Sequence, residues 1–234
     1  MIFDADDTLW ENNIYFERAI HRFIEFLDHS HLSPIDVRAV LNEIEHANVA
    51  DHGFGALSFT RGLRTCFERL TERELSQSDM TTVEALGLAI LDQELELIAG
   101  VEETLALLGQ RHQLLMLTKG DAEEQRLKIE RSGLADYFTH TIVVPDKRTA
   151  TYVTVIEECA LEPSLTWMIG NSPKSDINPA LAAGLNAAFI PHQHTWSLEH
   201  ADIEHSSGQL LILERITDLP SHFLTDPISE NSIN

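Results

Sequence analysis

The 234-residue chain is 43% hydrophobic and 23% charged, which is ordinary for a globular protein that buries a full core. Its 38 acidic residues outnumber its 16 Lys and Arg residues, giving a formal net charge of −22. Because this charge repels polyanions, we expect neither nucleic acid nor an anionic membrane as a partner, although a local cation still permits a small phosphorylated substrate.

The compartment is predicted from what the sequence lacks. We find no charged-then-apolar leader and no apolar run of about 18 residues, which predicts a cytoplasmic protein. Cys66 and Cys159 lie far apart and outside any C-x-x-C spacing, so we expect two reduced, packed thiols.

The chain opens with MIFDADDTLW, an apolar strand start followed by three aspartates. Asp is a poor strand former and like charges repel, so carboxylates clustered at a strand end are typical of a metal or catalytic site. The alternative is a solvated turn in which Asp7 and Thr8 cap a helix. Residues 1–3 are short for a first strand, which leaves open whether the chain begins late.

Residues 12–97 predict helices and no strand, and we expect a compact helical insert. Apolar residues recur at three- and four-residue spacing from Phe16 to Leu27, and Ser33-Pro34 begins a second helix. The loop DHGFGALS interrupts the pattern, and further helices are predicted over about 59–70 and 80–97.

From residue 98 to 223, helices alternate with the short apolar runs QLLMLT, THTIVV, LTWMIG, NAAFIP and LLILERI. Strands of this length between helices predict an α/β fold with a doubly wound parallel sheet, covered by helices on both faces. Residues 1–11 and 98–223 would form this Rossmann-like core, and the tail over 224–234 lacks apolar periodicity and is expected to be flexible.

Polar residues follow the predicted strands where ligands bind in such sheets, at the carboxyl ends. They are Thr118, Lys119, Lys147, Asn171 and Asp176. Each alone could be a helix cap or a solvated residue, but together with the opening aspartates they describe a phosphoryl-transfer site. One carboxylate attacks phosphorus, a second moves protons, Thr and Lys bind the phosphoryl oxygens, and oxygen ligands complete a Mg²⁺ site.

In chain order, these residues resemble the motifs of the haloacid dehalogenase-like hydrolases. D-x-D-x-T is Asp4-Ala5-Asp6-Asp7-Thr8, a Thr closing a strand is Thr118, a Lys before a helix is Lys147, and the last motif is GNSPKSD over 170–176. The helical insert is similar to the family's helical cap. The resemblance implies a Mg²⁺-dependent phosphatase with an α/β core and an all-helical cap over 12–97.

The resemblance also implies residue roles. Asp4 would be the nucleophile that forms an aspartyl-phosphate, and Asp6 the general acid and base. The implied Mg²⁺ ligands are Asp4, Asp6 through its backbone carbonyl, Asn171 and Asp176. The implied phosphate-binding residues are Thr118, Lys119 and Lys147.

Two positions depart from the family pattern. Asp7 stands where the family usually has Gly, and we expect it to point away from the site as a helix-initiating or loop residue. Asn171 stands where the family usually has a metal-binding Asp, which predicts weaker Mg²⁺ binding. A catalytically weakened binding or regulatory protein therefore stays open. Asp6 favours phosphate-ester hydrolysis over dehalogenation, and a phosphosugar mutase remains the other alternative.

A cap over the site predicts a small phosphorylated metabolite as the substrate. Candidate substrate-contacting residues are Trp10, Asn12, Phe54 and Arg61, although Phe54 could be cap core and Arg61 solvated. We expect His192 and His194 to belong to a solvated loop, since no third metal ligand is evident. The physiological substrate and the oligomeric state stay undetermined.

Overall fold

A parallel sheet of six strands lies at the centre of the computed structural model, which describes residues 1–204 and 208–224. The strands are β1 (Ile2–Phe3), β2 (Leu115–Lys119), β3 (His140–Val144), β4 (Trp167–Gly170), β5 (Asn186–Phe189) and β6 (Leu210–Ile212). Their spatial order is β3-β2-β1-β4-β5-β6, with every pair parallel. This confirms the predicted α/β class with a Rossmann-like, doubly wound sheet.

The helices of the described residues fall into two groups along the chain. The first group is α1 (Asn13–Leu27), α2 (Pro34–His52), α3 (Ala56–Leu70) and α4 (Gln77–Leu88). The second group is α5 (Val101–Leu108), α6 (Ala122–Ser132), α7 (Thr149–Glu158), α8 (Asn178–Ala182) and α9 (Leu219–Phe223). A π-helical turn over Pro173–Ile177 leads into α8.

The two residues of β1 occupy the centre of the sheet and are fully buried. Ile2 pairs with Leu115 and Met168 in the neighbouring strands, and its side chain belongs to the apolar cluster beneath α7 and α8. Phe3 points to the opposite face, into the cluster beneath α5 and α6. Because side chains alternate along a strand, this short strand anchors both faces and places the next residue, Asp4, at the carboxyl edge.

Helices α1–α4, here called the helical block, pack around an apolar cluster of their own that includes Phe23, Leu41 and Phe67. The predicted start of α2 is confirmed. Ser33 Oγ accepts from the backbone N–H of Asp36, and the Asp36 carboxylate accepts from the backbone N–H of Ser33, which forms a capping box.

The predicted helix over 80–97 is wrong at its end, because α4 ends at Leu88. Residues 94–97 alternate polar and apolar side chains, a period typical of an extended segment, and Leu97 pairs antiparallel with Trp10. Backbone hydrogen bonds from Glu11 N to Glu96 O and from Ile98 N to Leu9 O join the two chain segments that connect the helical block to the sheet.

The end of the chain differs from prediction in extent. The last strand covers Leu210–Ile212 instead of the whole run to Ile216, where a 3₁₀ turn begins. The predicted tail over 224–234 lies, apart from Leu224, outside the described residues. Cys66 and Cys159 are free, as predicted. Within the described ranges, no helix combines the length and the apolar character needed to cross a membrane.

Candidate active site

The strand ends that the sequence singled out meet around one cavity of about 140 Å³. Asp4 follows β1, Thr118 lies on β2, Lys147 follows β3, and Asn171 and Asp176 follow β4; all five line the cavity. Side chains of the helical block line its opposite side. The parallel topology therefore brings these residues together, because the carboxyl ends of all the strands face the same edge.

Lys147 joins two carboxylates in the floor of the cavity. Its Nζ lies 2.5 Å from Asp4 Oδ1 and 2.8 Å from Asp176 Oδ1, and its side chain is 1% exposed. Burial lowers the pKa of Lys147, but the charges of Asp176 and Asp4 outweigh burial and hold that pKa above its usual value. Lys147 therefore stays a cation, and with both acids ionised the trio carries one excess negative charge.

The excess negative charge and burial both act on the pKa of Asp4. Burial, followed by the charge of Asp176, raises the pKa of Asp4 to about 7, and Lys147 opposes the rise. A carboxylate that must act as an anion would be stabilised by a further cation beside it.

The side chain of Asn171 presents its oxygen to Asp4, and a chain of hydrogen bonds sets this orientation. The Thr195 hydroxyl donates to the backbone oxygen of His192 at 3.0 Å, so it can only accept from Asn171 Nδ2, also at 3.0 Å. Asn171 Oδ1 then lies 3.3 Å from Thr8 Oγ1, which is 2.9 Å from Asp4 Oδ2.

These oxygens fit a hard divalent cation. The Thr8 hydroxyl has one proton for two acceptors, so it cannot satisfy Asp4 Oδ2 and Asn171 Oδ1 at the same time. A carboxylate and an amide oxygen that converge beside a negatively charged trio form the donor set that Mg²⁺ prefers.

Asp176 already has donors on both oxygens. Oδ1 accepts from Lys147, and Oδ2 accepts from the backbone N–H of Ser172 at 2.9 Å. Gly170 permits this approach, since a Cβ there would lie 2.3 Å from Asp176 Oδ2. In this arrangement Asp176 positions Lys147, and both of its oxygens already accept hydrogen bonds. The metal-ligand role that the resemblance implied for Asp176 stays a prediction.

Asp6 stands two residues after Asp4, and both of its carboxylate oxygens are hydrogen-bonded. Lys128 Nζ lies 2.9 Å from each oxygen, Gln125 Nε2 lies 2.8 Å from Oδ2, and Trp10 Nε1 lies 2.7 Å from Oδ1. Burial would raise the pKa of Asp6, but Lys128 and the other donors hold it below its usual value. Sequence reasoning missed Gln125 and Lys128, whose three-residue spacing on α6 places both on one face of the helix.

Lys119 was expected to bind phosphate, and the structure gives it a protein partner. Its Nζ lies 2.5 Å from Glu199 Oε1 and 2.7 Å from Ser175 Oγ, and 4.4 Å from the centroid of the Phe54 ring. Glu199 was also missed. Burial alone would raise the pKa of Glu199. Lys119 and nearby hydroxyls outweigh burial and hold that pKa below its usual value, so Glu199 is an anion that neutralises Lys119.

The start of α6 is capped by a residue other than Thr118. Asp121 Oδ1 accepts from the backbone N–H groups of Glu123 and Glu124, both at 3.0 Å. Thr118 is 1% exposed, and its hydroxyl donates to Gln125 Oε1 at 3.3 Å at the cavity wall. The alternative in which Thr118 only caps the helix is therefore wrong.

Asp7 begins a helix, as expected, but the expectation that it points away from the site is wrong, because Asp7 is buried and lines the cavity. Its backbone stands in the left-handed region at φ 62°. Its carboxylate accepts from the backbone N–H groups of Asn12 and Asn13 at 2.9 and 3.0 Å and so caps α1. Burial raises the pKa of Asp7 to about 7, against the effect of these two donors.

His192 is not solvated, in contrast to the expectation, because its side chain is only 13% exposed. Its Nε2 lies 3.2 Å from Glu11 Oε2, and its Nδ1 lies 3.7 Å from Asp7 Oδ1. The ligand atoms of Asp7, Glu11 and His192 lie within 4.8 Å of one another, a geometry that could hold a metal ion. His194 contributes its backbone oxygen, which accepts from Asn13 Nδ2 at 2.6 Å.

The four candidate substrate-contacting residues divide into two pairs. Asn12 and Phe54 line the cavity. Trp10 is fully buried behind Asp6, outside the lining, and Arg61 is exposed on α3, also outside it. The structure therefore does not bring Trp10 or Arg61 to the cavity.

Comparison with known proteins assigns a family to this architecture. The sequence-family model described as haloacid dehalogenase-like hydrolase matches residues 1–184. The structure is similar to that of a haloacid dehalogenase-like family hydrolase from Xanthomonas campestris, with 31% identity, a TM-score of 0.81, and coverage of 94% of this chain and 88% of that one.

More distant structures share the fold alone. A 2-haloacid dehalogenase from Pseudomonas syringae pv. Tomato has 20% identity and a TM-score of 0.60, over 94% of this chain and 95% of that one. A predicted phosphoglycolate phosphatase from Haemophilus somnus has 18% identity and a TM-score of 0.62, over 94% and 96%. No curated protein sequence matches the chain significantly.

Proposed function

Since the chain belongs to the haloacid dehalogenase-like hydrolases, we propose that it hydrolyses a small phosphate monoester. Asp4 would form an aspartyl-phosphate, and Asp6 would act as general acid and base. The observation that carries the proposal is the Asp6 carboxylate, which lines the cavity beside Asp4 and is held there by Lys128, Gln125 and Trp10.

Asp6 separates the two chemistries found among the structural neighbours. A halide leaves carbon as a stable anion and needs no proton. The alkoxide of a phosphate ester is a poor leaving group and needs a positioned acid. A second carboxylate held beside the nucleophile therefore favours phosphate-ester hydrolysis over dehalogenation.

The proposed reaction has two displacement steps at phosphorus. An oxygen of Asp4 bonds to phosphorus while the bond to the ester oxygen breaks, and Asp6 protonates the departing alkoxide. Because Lys128 holds Asp6 as a carboxylate in the free protein, Asp6 would take up that proton from solvent when the ester binds. Asp6, now a carboxylate, then takes a proton from water as the water oxygen attacks phosphorus. The bond from phosphorus to Asp4 breaks, and inorganic phosphate and the free Asp4 carboxylate result.

Lys147 and Thr118 support the transferring group from the cavity floor. Lys147 stays protonated and keeps Asp4 ionised while a phosphate dianion approaches. Thr118, which is buried, lines the same cavity as Lys147 and would offer its hydroxyl to the phosphoryl group. With Lys119 paired to Glu199, we propose Lys147 as the principal cation for the phosphoryl oxygens.

The residues that would hold Mg²⁺ are Asp4 through a carboxylate oxygen, Asn171 through Oδ1, and Asp6 through its backbone carbonyl. When bound, the ion supplies positive charge that lowers the pKa of Asp4 and offsets the charge of the phosphoryl oxygens. Because Asn171 is neutral, we propose a weaker site than one with an Asp at that position.

We also propose that residues 12–97 act as a cap. The cavity lies between the carboxyl edge of the sheet and the helical block, which would exclude water and restrict entry to small esters. The net charge of −22 supports a small phosphorylated metabolite over nucleic acid or a membrane as the partner.

The proposal is tested by hydrolysis of p-nitrophenyl phosphate with and without Mg²⁺, using the wild type, Asp4→Asn and Asn171→Asp. We expect Mg²⁺-dependent release that Asp4→Asn abolishes, and a lower Mg²⁺ requirement in Asn171→Asp. Asp136→Asn, at an exposed position outside the cavity lining, is the matched control.

Other outcomes would contradict the proposal. Turnover by Asn171→Asp alone would indicate a silenced enzyme. Ligand binding without any turnover would indicate a binding protein. A requirement for a sugar bisphosphate would indicate a mutase, and halide release from a 2-haloacid would indicate a dehalogenase.

A further inference from the structure

One carboxylate of the cavity differs from all the others in its hydrogen bonding. Six acidic side chains besides Glu45 line the cavity, namely Asp4, Asp6, Asp7, Glu124, Asp176 and Glu199. In each of these six, both carboxylate oxygens accept a hydrogen bond from the protein. Glu45 Oε2 is buried and has no partner among residues 1–204 and 208–224.

Glu45 lies on α2 and is 6% exposed, so bulk water does not replace the missing partner. Trp196 lines the same cavity, and Arg38 is the cation whose charge acts on the Glu45 carboxylate. Arg38 is itself held by both carboxylate oxygens of Glu17, each at 2.8 Å. Glu45 therefore faces the cavity without a cation of its own.

Asn48 stands three residues further along α2 and lines the same cavity. Its Nδ2 is buried and also lacks a partner among the described residues. Positions three apart on a helix share a face, and both side chains approach Gly62 of α3, so the open acceptor and the open donor belong to one region of the helical block. Their surroundings on the helical block are apolar, from Phe16, Ile20 and Phe59.

A buried polar atom without a partner is destabilising, so proteins keep one where a ligand or an ordered water completes it. This pair lies on α2 of the helical block, whereas Asp4 and Lys147 line the same cavity from the carboxyl edge of the sheet. An ester whose phosphoryl group contacts Asp4 and Lys147 would therefore present its leaving group to the helical block.

We infer that Glu45 and Asn48 recognise hydrogen-bond donors, hydroxyl or amine groups, on the leaving group of the substrate. The inference rests on the proposed phosphatase function. Burial raises the pKa of Glu45 to about 7, so at and above neutral pH its anionic form becomes the acceptor. A substrate with its own carboxylate would be repelled, as 2-haloacids and phosphoglycolate would be.

A matched series of alkyl phosphates tests this inference. Propyl phosphate has no donor, glycerol 1-phosphate adds hydroxyls, O-phosphoethanolamine supplies an ammonium group, and phosphoglycolate carries a carboxylate. We expect the wild-type kcat/KM for one of the two donor-bearing esters to exceed that for propyl phosphate by about tenfold or more, with phosphoglycolate the poorest. The preferred ester then identifies a polyol or an amino alcohol.

Substitutions assign the selectivity to α2. We expect Glu45→Gln to lower the preference for the donor-bearing ester over propyl phosphate by about tenfold and to improve phosphoglycolate hydrolysis. Asn48→Ala should lower the same preference by a smaller factor. Glu43→Gln removes the same charge from an exposed position on the same helix and should leave the preference unchanged.

The outcomes separate this inference from the proposed function. If the wild type hydrolyses no phosphate ester, the proposed function falls and the inference with it. If it hydrolyses esters but prefers propyl phosphate or phosphoglycolate, or if Glu45→Gln lowers every kcat/KM by the same factor, the inference alone is overturned.

Discussion

The ammonium nitrogen of Lys128 lies 2.9 Å from each carboxylate oxygen of Asp6. Lys128 also donates to Asn12 Oδ1 at 2.8 Å, which fixes the ammonium group between α6 and the start of the helical block. Lys128 therefore holds Asp6 in position and favours its carboxylate form. It lies 122 residues away from Asp6 in the chain.

We predict that Lys128→Met lowers kcat/KM for an alkyl phosphate by on the order of tenfold to a hundredfold. The loss should be smaller for p-nitrophenyl phosphate, because p-nitrophenolate leaves with little help from an acid. Steady-state kinetics on both substrates measures the difference, and Lys128→Arg, which keeps the charge, should recover part of it. Equal losses on the two substrates would argue against an effect through Asp6.

Lys147 offers a prediction about stability. Lys147→Met removes the only protein cation that contacts Asp4 and Asp176 in the described structure, and should lower the free energy of unfolding by about 3–5 kcal/mol. Adding Asp176→Asn should restore part of that loss, because one buried charge disappears. Urea unfolding of the single and double variants measures the coupling, and strictly additive effects would contradict this account.

Glu124 joins the core to the helical block. Both of its carboxylate oxygens lie 3.0 Å from the backbone N of Ala56, the first residue of α3. If the helical block acts as a cap, Glu124→Ala should raise KM several-fold and lower the free energy of unfolding by about 1 kcal/mol. Glu123→Ala is the matched control. Glu123 stands exposed in the same helical turn and takes no part in the hydrogen bonds to Ala56. Equal effects of the two variants would exclude a specific role for the Glu124 contact.

Glu45 gives the stability of the protein a pH dependence. Burial raises its pKa in the folded state from 4.5 to about 7, with Arg38 opposing and Glu17 adding to the rise. The folded state therefore favours the neutral form of Glu45. The contribution of Glu45 to the free energy of unfolding is full below pH 4.5 and is lost as the pH rises through about 7. The wild type therefore carries a cost at high pH that Glu45→Gln should not carry.

We expect Glu45→Gln to be more stable than the wild type by ~2 kcal/mol at about pH 8, and by much less at about pH 5. Urea unfolding at the two pH values measures the difference, with Glu43→Gln as the control that should show no such trend. A stability gain that is the same at both pH values would show that the effect does not come from ionisation of Glu45.

Much of the fold could be predicted because it depends on local patterns. Alternating apolar runs and helices predicted all six strands, and parallel topology then required the polar strand ends to converge. The prediction from local patterns was wrong where a helical period runs into a strand-like alternation. Residues 94–97 extend the predicted fourth helix, yet their alternation belongs to an extended segment paired with Trp10.

Lys119 and Lys128 show where the sequence stops being informative about the site. Lys119 follows Thr118 directly, which favoured a phosphate-binding role, but it pairs with Glu199, 80 residues later. Lys128 had no motif to mark it, yet it holds Asp6. Both pairings depend on how distant elements pack.

The sequence by itself determined the α/β class, the ordered strand-end residues and the family they resemble, because strand period and motif spacing are written along the chain. Only the tertiary structure decided which cation faces which carboxylate, that Asp176 holds Lys147, and that Glu45 faces the cavity with an open oxygen. The physical reason is that periodicity reports which face of an element is buried, whereas charge pairing depends on what the fold places opposite that face.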